Sequence, residues 1–403
     1  VPGRKVEGRF CFVTPRFGEG VVGGSELVMT QIARGLAERG AAVEVATTCA
    51  RDHYTWANEF PAGESSDGLI PVRRFETERP RGTGRFRALQ ERIHDEKDLR
   101  LGDELAWVEG RFRVPGLYAW LQGNGSRFDA ILFSPYLFWT TIFGAAVHPD
   151  RSVIVPCLHD EPEAQLQVVS ALLSNSAGVL FLSEPEHQLG HRIANLPARH
   201  AVVGAAVEPP ESYDPDGFRA RHGLERPFVL YAGRREDGKG WRALVNGFGA
   251  AVLRHDIPFD LVTAGVGVPY IPDAVADRVI DIGYLDNDEL PNAFAAAEAY
   301  LQPSRNESFS RTIMEAWLAG TPVIATSGSE VVDWHCERSG GGLTYGDSFE
   351  LAQCLLYLAA SPRAARALAD RGRQYVLANY QWPIVLDTIE AFLAPMVRST
   401  CAT

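Results

Sequence analysis

LQPSRNESFSRTIMEAWLAGTPVIA, residues 301–325, decides the fold. It predicts the end of a buried strand over 299–301, a loop through Pro303, Ser304, Asn306 and Ser308, a helix over 310–319 stopped by Gly320, and a second strand over 322–325. Between Thr312 and Ala325 the sole ionisable side chain is Glu315, set among Ile313, Met314, Ala316, Trp317 and Leu318. A carboxylate in such company is costly unless it is partnered. At the helix start, Glu307, Ser308, Phe309 and Ser310 offer backbone N–H groups and the positive end of a helix dipole, a place for an anion or sugar hydroxyls. Glu307 and Glu315 would then hold two hydroxylated parts of one long ligand. A second reading stays open, in which Ser310 caps the helix and Glu315 pairs with an internal Arg.

The 403 residues are long for one domain and suit two of roughly 200. Hydrophobic residues make up 46% and charged residues 22%, the balance of a globular protein that buries a sizeable core. With 39 basic and 51 acidic residues the formal charge is -12, which argues against a general nucleic-acid-binding role. No run of 18 apolar residues and no signal-peptide pattern occurs, so a membrane span is not expected, peripheral membrane contact stays open, and the expected location is cytoplasmic. The chain begins with Val1, which leaves a trimmed start open. Six cysteines without CxxC pairs fit reduced thiols better than a zinc site or a disulfide framework.

Strand and helix signals alternate throughout, the pattern of parallel sheets with helices on both faces. A strand over 10–14 leads through a loop (17–24) into a helix over 25–40, then a strand over 43–47. Gly23 and Gly24 stand just before that helix, where their backbone would approach a phosphate closely or make a tight turn. Residues 52–125 read as irregular, with a basic section over 79–100 and one helix over 98–121. Regular alternation resumes with strands at 130–133, 152–157, 178–182 and 200–203 and helices between them. Two strand ends stand out, because open sheets bind ligands there. One carries the aromatics Tyr136, Phe138 and Trp139, fit either for stacking on an acceptor or for core; the other carries His159. His53 and Tyr54 join Tyr136 and Trp139 as acceptor-side candidates.

Residues 204–226, rich in proline and acids, mark the domain boundary. The division is 1–205, 206–381, and a C-terminal helical stretch over 382–403 that crosses back to the first domain. A new strand at 228–231 runs into Gly233-Arg234-Arg235-Glu236-Asp237-Gly238-Lys239-Gly240, ahead of a helix over 241–254. Arg234 suits a bidentate grip on phosphate and Lys239 a mobile point charge; in an acidic chain, two such cations at a strand end point to an anionic ligand. Strands at 259–264 and 279–282, Gly283-Tyr284-Leu285, a helix over 287–297, a Gly-rich turn at 340–342 and helices over 349–360, 363–379 and 383–397 complete the reading.

In order and spacing, Gly23-Gly24-Ser25-Glu26, His159, Gly233-Arg234 with Lys239-Gly240, Gly283-Tyr284 with Glu289-Leu290, Glu307 with Glu315, and Gly320-Thr321-Pro322-Val323-Ile324 coincide with one family. The chain resembles a retaining glycosyltransferase of the GT-B fold, family 4, which includes sucrose synthases and bacterial mannosyltransferases. The resemblance is dense from about 200 to 382 and thinner before. It implies two Rossmann-like doubly wound domains facing across a cleft. It also implies transfer of a hexose-type sugar from a nucleoside-diphosphate sugar, UDP before GDP on family frequency, to a hydroxylated acceptor such as a glycan, a lipid-linked sugar or a small molecule. Arg234 and Lys239 would bind the diphosphate with Gly23 and Gly24. Glu315 would hold the ribose, while Glu307 and the backbone from Ser308 through Phe309 and Ser310 to Arg311 would hold the transferred sugar. Gly283, Tyr284 and Leu285 would meet the base, and His159 would support the transition state. The family usually has glycine at positions 308 and 310, so a narrower sugar pocket is expected. No metal and no cofactor are expected, since two fixed cations and a helix N-terminus supply the charge. A nucleotide-sugar epimerase on the same fold, and a non-catalytic nucleotide-sugar-binding protein, are the competing readings.

Overall fold

A computed structural model describes residues 7–21, 23–80, 84–95 and 97–398. Val22 of the glycine loop, residues 81–83 and 96 of the basic section, and Cys401 lie outside them. The chain forms two units, one from the described parts of 1–205 and 383–403, the other from 206–382.

The first unit runs β1 (Arg9–Val13), α1 (Gly24–Glu38), β2 (Ala42–Thr48), β3 (Gly63–Asp67), β4 (Ile70–Phe75), α2 (Gly84–His94), α3 (Leu101–Glu109), α4 (Pro115–Asn124), β5 (Ala130–Phe133), α5 (Trp139–Ala145), β6 (Ser152–Ile154), α6 (Gln167–Asn175), β7 (Gly178–Phe181), α7 (Glu184–Ile193) and β8 (His200–Val202). Its eight strands are ordered β3-β4-β2-β1-β5-β6-β7-β8, parallel except for the β3–β4 hairpin at one edge. Central strands such as β5 and β7 are buried at every residue, as a parallel sheet covered on both faces requires.

The second unit runs α8 (Pro215–Arg221), β9 (Phe228–Ala232), α9 (Trp241–Arg254), β10 (Asp260–Ala264), β11 (Val279–Asp281), α10 (Leu290–Ala296), β12 (Ala299–Gln302), α11 (Arg311–Leu318), β13 (Val323–Thr326), α12 (Glu330–Ser339), β14 (Gly342–Tyr345), α13 (Ser348–Ala360) and α14 (Pro362–Asn379). Its six parallel strands are ordered β11-β10-β9-β12-β13-β14. The last helix, α15 (Trp382–Leu393), belongs with the first unit from Pro383 onward. There Arg39 grips it through Asp387 and Glu390, each at 2.6 Å, and Leu386 packs on Gly35 of α1.

Three sequence expectations are corrected. The irregular stretch 52–125 contains the β3–β4 hairpin, and its single expected helix is two, α3 and α4. Pro115 starts α4 at its first turn, and the residues before it turn aside so that Arg113 and Glu78 exchange backbone hydrogen bonds, both at 2.8 Å. The strand expected over 152–157 stops at Ile154, and Cys157 adopts a left-handed φ of 54°. The Gly-rich turn at 340–342 is the junction of an unexpected helix and strand, α12 and β14, with Gly340 closing the helix in the left-handed region.

Candidate active site

In the second unit the strand order reverses at the β9–β12 pair, so the connections leaving these neighbours diverge and open a crevice at their carboxyl ends. Two loops rise there, 233–240 before α9 and 303–310 before α11. They touch at Gly240, whose φ is 70° and where an added Cβ would stand 2.3 Å from the Pro303 carbonyl oxygen. Only glycine permits that approach. The loop after β10 leans on the first in the same way, since a Cβ at Gly265 (φ 140°) would lie 1.9 Å from the Gly233 oxygen.

The two consecutive arginines have different tasks. Arg235 is buried, donates to the carbonyls of Gly265 and Gly267, and pairs with Asp281, which also accepts from the Gly283 N–H at 3.0 Å. It therefore ties three strand-end loops together and shapes the turn bearing Gly283, Tyr284 and Leu285. Arg234 is 40% exposed at its side chain and lies 3.2 Å from Glu236, while its carbonyl accepts from the Tyr231 hydroxyl at 2.7 Å. Lys239 spans the two loops: its Nζ donates to Glu307 Oε1 at 2.7 Å and reaches the Asn306 carbonyl at 3.5 Å.

Glu315 lies on α11, one turn after Arg311, whose guanidinium reaches it at 3.1 Å and also donates to the Ala206 carbonyl at 2.8 Å. Burial raises the Glu315 pKa, and Arg311 opposes the shift. Two buried phenols register the shared field. Tyr300 is raised by burial first and then by Tyr231, Glu307 and Glu315, against a hydrogen bond with Thr312. Tyr231 is raised by burial first, with Arg235 and Arg234 pulling it down and Glu307 and Glu236 pushing it up. The cations and acids picked from sequence thus occupy one neighbourhood.

The loop 303–310 is held from below. Buried Gln302 donates to Ser310 Oγ at 2.6 Å and Thr312 Oγ1 at 3.2 Å, and Ser310 takes a left-handed φ of 63°. Ser310 does not cap α11 with its side chain; the Arg partner anticipated for Glu315 is Arg311. Phe309 packs edge-on against His335 (5.3 Å) and Tyr380 (4.9 Å). His335, fully buried, faces the Tyr375 hydroxyl at 2.9 Å, and burial lowers its pKa to about 3. A cavity of about 640 Å³ lies beside the two loops, bordered by Gly240, Asn306, Arg305 and Tyr345; Arg234, Lys239, Glu307 and Glu315 do not line it.

In the first unit, Gly23 and Gly24 stand at the start of α1 over a buried pair, Arg16 and Glu26, bonded at 2.6 and 2.9 Å. His159 is partly exposed, with Nδ1 3.6 Å from Glu161, which accepts from the Tyr136 hydroxyl at 2.6 Å. Burial pushes the Glu161 pKa up, but His159, Tyr136 and Arg111 outweigh it and the net shift is downward. Behind His159, the Glu186 carboxyl accepts from the N–H groups of Leu158 (2.7 Å) and Leu182 (2.5 Å) and is pushed to about 8 by burial. Tyr136 and Trp139 are 1% and 6% exposed within the aromatic and aliphatic core, so neither presents a face for an acceptor. Tyr54 is 66% exposed, and its ring lies tilted against that of His53 with centroids 3.9 Å apart. Sequence reasoning missed Arg16, Arg235, Asp281, Gln302 and His335; Gly265-Val266-Gly267 after an apolar strand was the one readable hint of the third loop.

Residues 226–361 match the family model of glycosyl transferases group 1. The chain is 30% identical over 262 residues to a 2-deoxystreptamine glucosyltransferase of Streptomyces kanamyceticus, a match covering 59% of this chain and 66% of that one. Among solved structures it resembles the sucrose-phosphate synthase of Thermosynechococcus elongatus (TM-score 0.74, 18% identity, 96% of this chain and 99% of that one). It also resembles HepE of Anabaena, solved with UDP and glucose (TM-score 0.70, 19% identity, 96% and 99%). These two likenesses show the fold, GT-B, with two parallel-sheet α/β units. The chain belongs to the group 1 glycosyl transferases.

Proposed function

We propose that the chain moves a hexose-type sugar from a nucleoside-diphosphate sugar, UDP- before GDP-, to a hydroxylated acceptor, with retention at the anomeric carbon and without a metal. The observation that carries this reading is the Lys239–Glu307 contact, which joins the loops at the switch point of the second sheet, with Glu315 on the helix that follows. The names of the relatives, a glucosyltransferase and a protein holding UDP and glucose, support a hexose donor and the order UDP before GDP.

Lys239 and Arg234 take the diphosphate and stabilise charge as its bond to the sugar breaks. A phosphate oxygen replaces Glu307 on Lys239 Nζ, which frees the carboxylate to accept hydrogen bonds from sugar hydroxyls. Glu315 accepts from the ribose hydroxyls, and the turn at Gly283, Tyr284 and Leu285 borders the base. Donor-side roles for Gly23, Gly24 and His159 rest on the resemblance alone. The acceptor's proton passes to the leaving phosphate as the acceptor oxygen attacks from the same face. No helix among the described residues is long and apolar enough to cross a membrane; a cytoplasmic location belongs to the proposal.

The test is incubation with UDP-, GDP- and ADP-sugars, with and without crude acceptor, reading nucleotide release and product mass. Lys239→Ala and Glu315→Ala are each expected to lose about a hundredfold or more in turnover or donor binding. Undiminished turnover and donor binding in both would remove the site, whereas a new sugar isomer formed without acceptor would favour the epimerase.

A further inference from the structure

Three histidines outside the residues assigned above converge in the first unit. His187 and His191 are one turn apart on α7, and His200 opens β8, the edge strand beside β7. One ring nitrogen from each lies within 4.8 Å of the others, and His187 Nε2 and His191 Nε2 are 3.0 Å apart. Two of the far nitrogens are spoken for. His200 Nδ1 faces the Pro197 carbonyl at 2.8 Å; a carbonyl only accepts, so Nδ1 carries the proton and Nε2 keeps its lone pair. His187 Nδ1 faces the Glu184 carboxylate at 3.4 Å, with the same consequence. An outer hydrogen bond of this kind, to a carbonyl or a carboxylate, is what fixes the tautomer of a metal-binding imidazole.

We propose that His187, His191 and His200 bind one first-row divalent transition-metal ion, zinc foremost, with the fourth position open to water. Two nitrogens on a tetrahedral zinc at about 2.0–2.1 Å stand roughly 3.4 Å apart, close to the His187–His191 spacing. Three imidazoles without a carboxylate ligand select zinc, copper or nickel over magnesium or calcium. The ion joins a helix to an edge strand only three residues long, and so clips the end of the eight-stranded sheet. The proposed sugar transfer does not pass through it.

The experiment uses the untagged full chain, stripped with a chelator and titrated with zinc chloride alone by calorimetry, then with cobalt(II) to read its visible spectrum. One ion per chain is expected, with the intense visible absorption of four-coordinate cobalt. The Tm should rise by about 5 °C when free zinc exceeds Kd a hundredfold, and the rise should reverse with chelator. Losing an outer-shell partner costs about 10–100-fold in affinity, so Glu184→Gln should weaken binding roughly tenfold and His191→Asn at least about a hundredfold. His191 is exposed, and the metal-free Tm of His191→Asn should match that of the parent. Absence of saturable one-to-one binding, or affinity unchanged from the parent in His191→Asn and His200→Asn, would overturn the site.

Discussion

Two ion pairs, one in each unit, are built to opposite ends. Arg16 and Glu26 are joined by two hydrogen bonds and keep only 7% and 6% of their side chains exposed. Ser25 and the Arg51 carbonyl satisfy remaining polar atoms of the pair. Lys239 and Glu307 share one hydrogen bond between side chains and remain 26% and 13% exposed. A guanidinium locked by a fork of bonds cannot change partner without loss, whereas an ammonium at a partly open crevice can exchange a carboxylate for a phosphate. The same division separates neighbouring Arg235, sealed against Asp281, from Arg234, left open beside Glu236. Closed pairs shape the loops, and open ones are available for chemistry.

Deleting one partner of the closed pair should have the largest effect. Glu26→Ala leaves the Arg16 guanidinium buried without its counter-ion, and the first unit should lose about 3–5 kcal/mol in urea unfolding. Lys239→Ala is the counterpart: its stability change should stay within about 1 kcal/mol, although turnover collapses. A loss below about 1 kcal/mol for Glu26→Ala would mean that burial does not distinguish the two pairs.

That distinction was only half visible beforehand. Lys239, Glu307 and Glu315 could be picked out because each lies beside an apolar strand or helix whose period is plain. Arg235 could not, since its task depends on β11 lying beside β10 and bringing Asp281 across, a neighbour relation the linear chain does not state. The parallel strands were readable as continuous apolar runs. The β3 segment, GESSD, is almost wholly exposed and has no apolar face to betray it, and α12 mixes charged and apolar residues before glycines that imitate a turn. Tyr136 and Trp139 failed for another reason: an aromatic at a strand end has the same composition whether it lines a pocket or fills the core.

A buried neutral base sharpens the comparison next. His335 supports Phe309 under the 303–310 loop and has its pKa lowered from about 6.5 to about 3 by burial. Since the folded value is the lower one, this contribution to stability is complete above about pH 6.5 and is lost as pH falls toward 3, by up to about 4 kcal/mol. Unfolding measured from pH 7 to pH 4 should show this slope, and His335→Gln should flatten it. An unchanged slope in the variant would place the acid sensitivity elsewhere.

The smallest expected effect is at Ser310, where backbone strain and a hydrogen bond oppose each other. A left-handed backbone costs a non-glycine residue about 1–2 kcal/mol, while the bond from Gln302 contributes about 1 kcal/mol. Ser310→Gly relieves the strain, forfeits the bond and adds chain entropy of about 0.5–1 kcal/mol, so its net cost should stay below about 1 kcal/mol. Ser310→Ala keeps the strain and still forfeits the bond; Gln302 retains only Thr312 as a side-chain acceptor, and the cost should be about 1–2 kcal/mol. Glycine should therefore be the milder replacement at this position, as the residue usual in the family suggests. If alanine proved equal or better in a paired thermal melt, the shape of the loop would be set by Gln302 and Phe309 rather than by the backbone at Ser310, and the open half of the comparison would rest on packing alone.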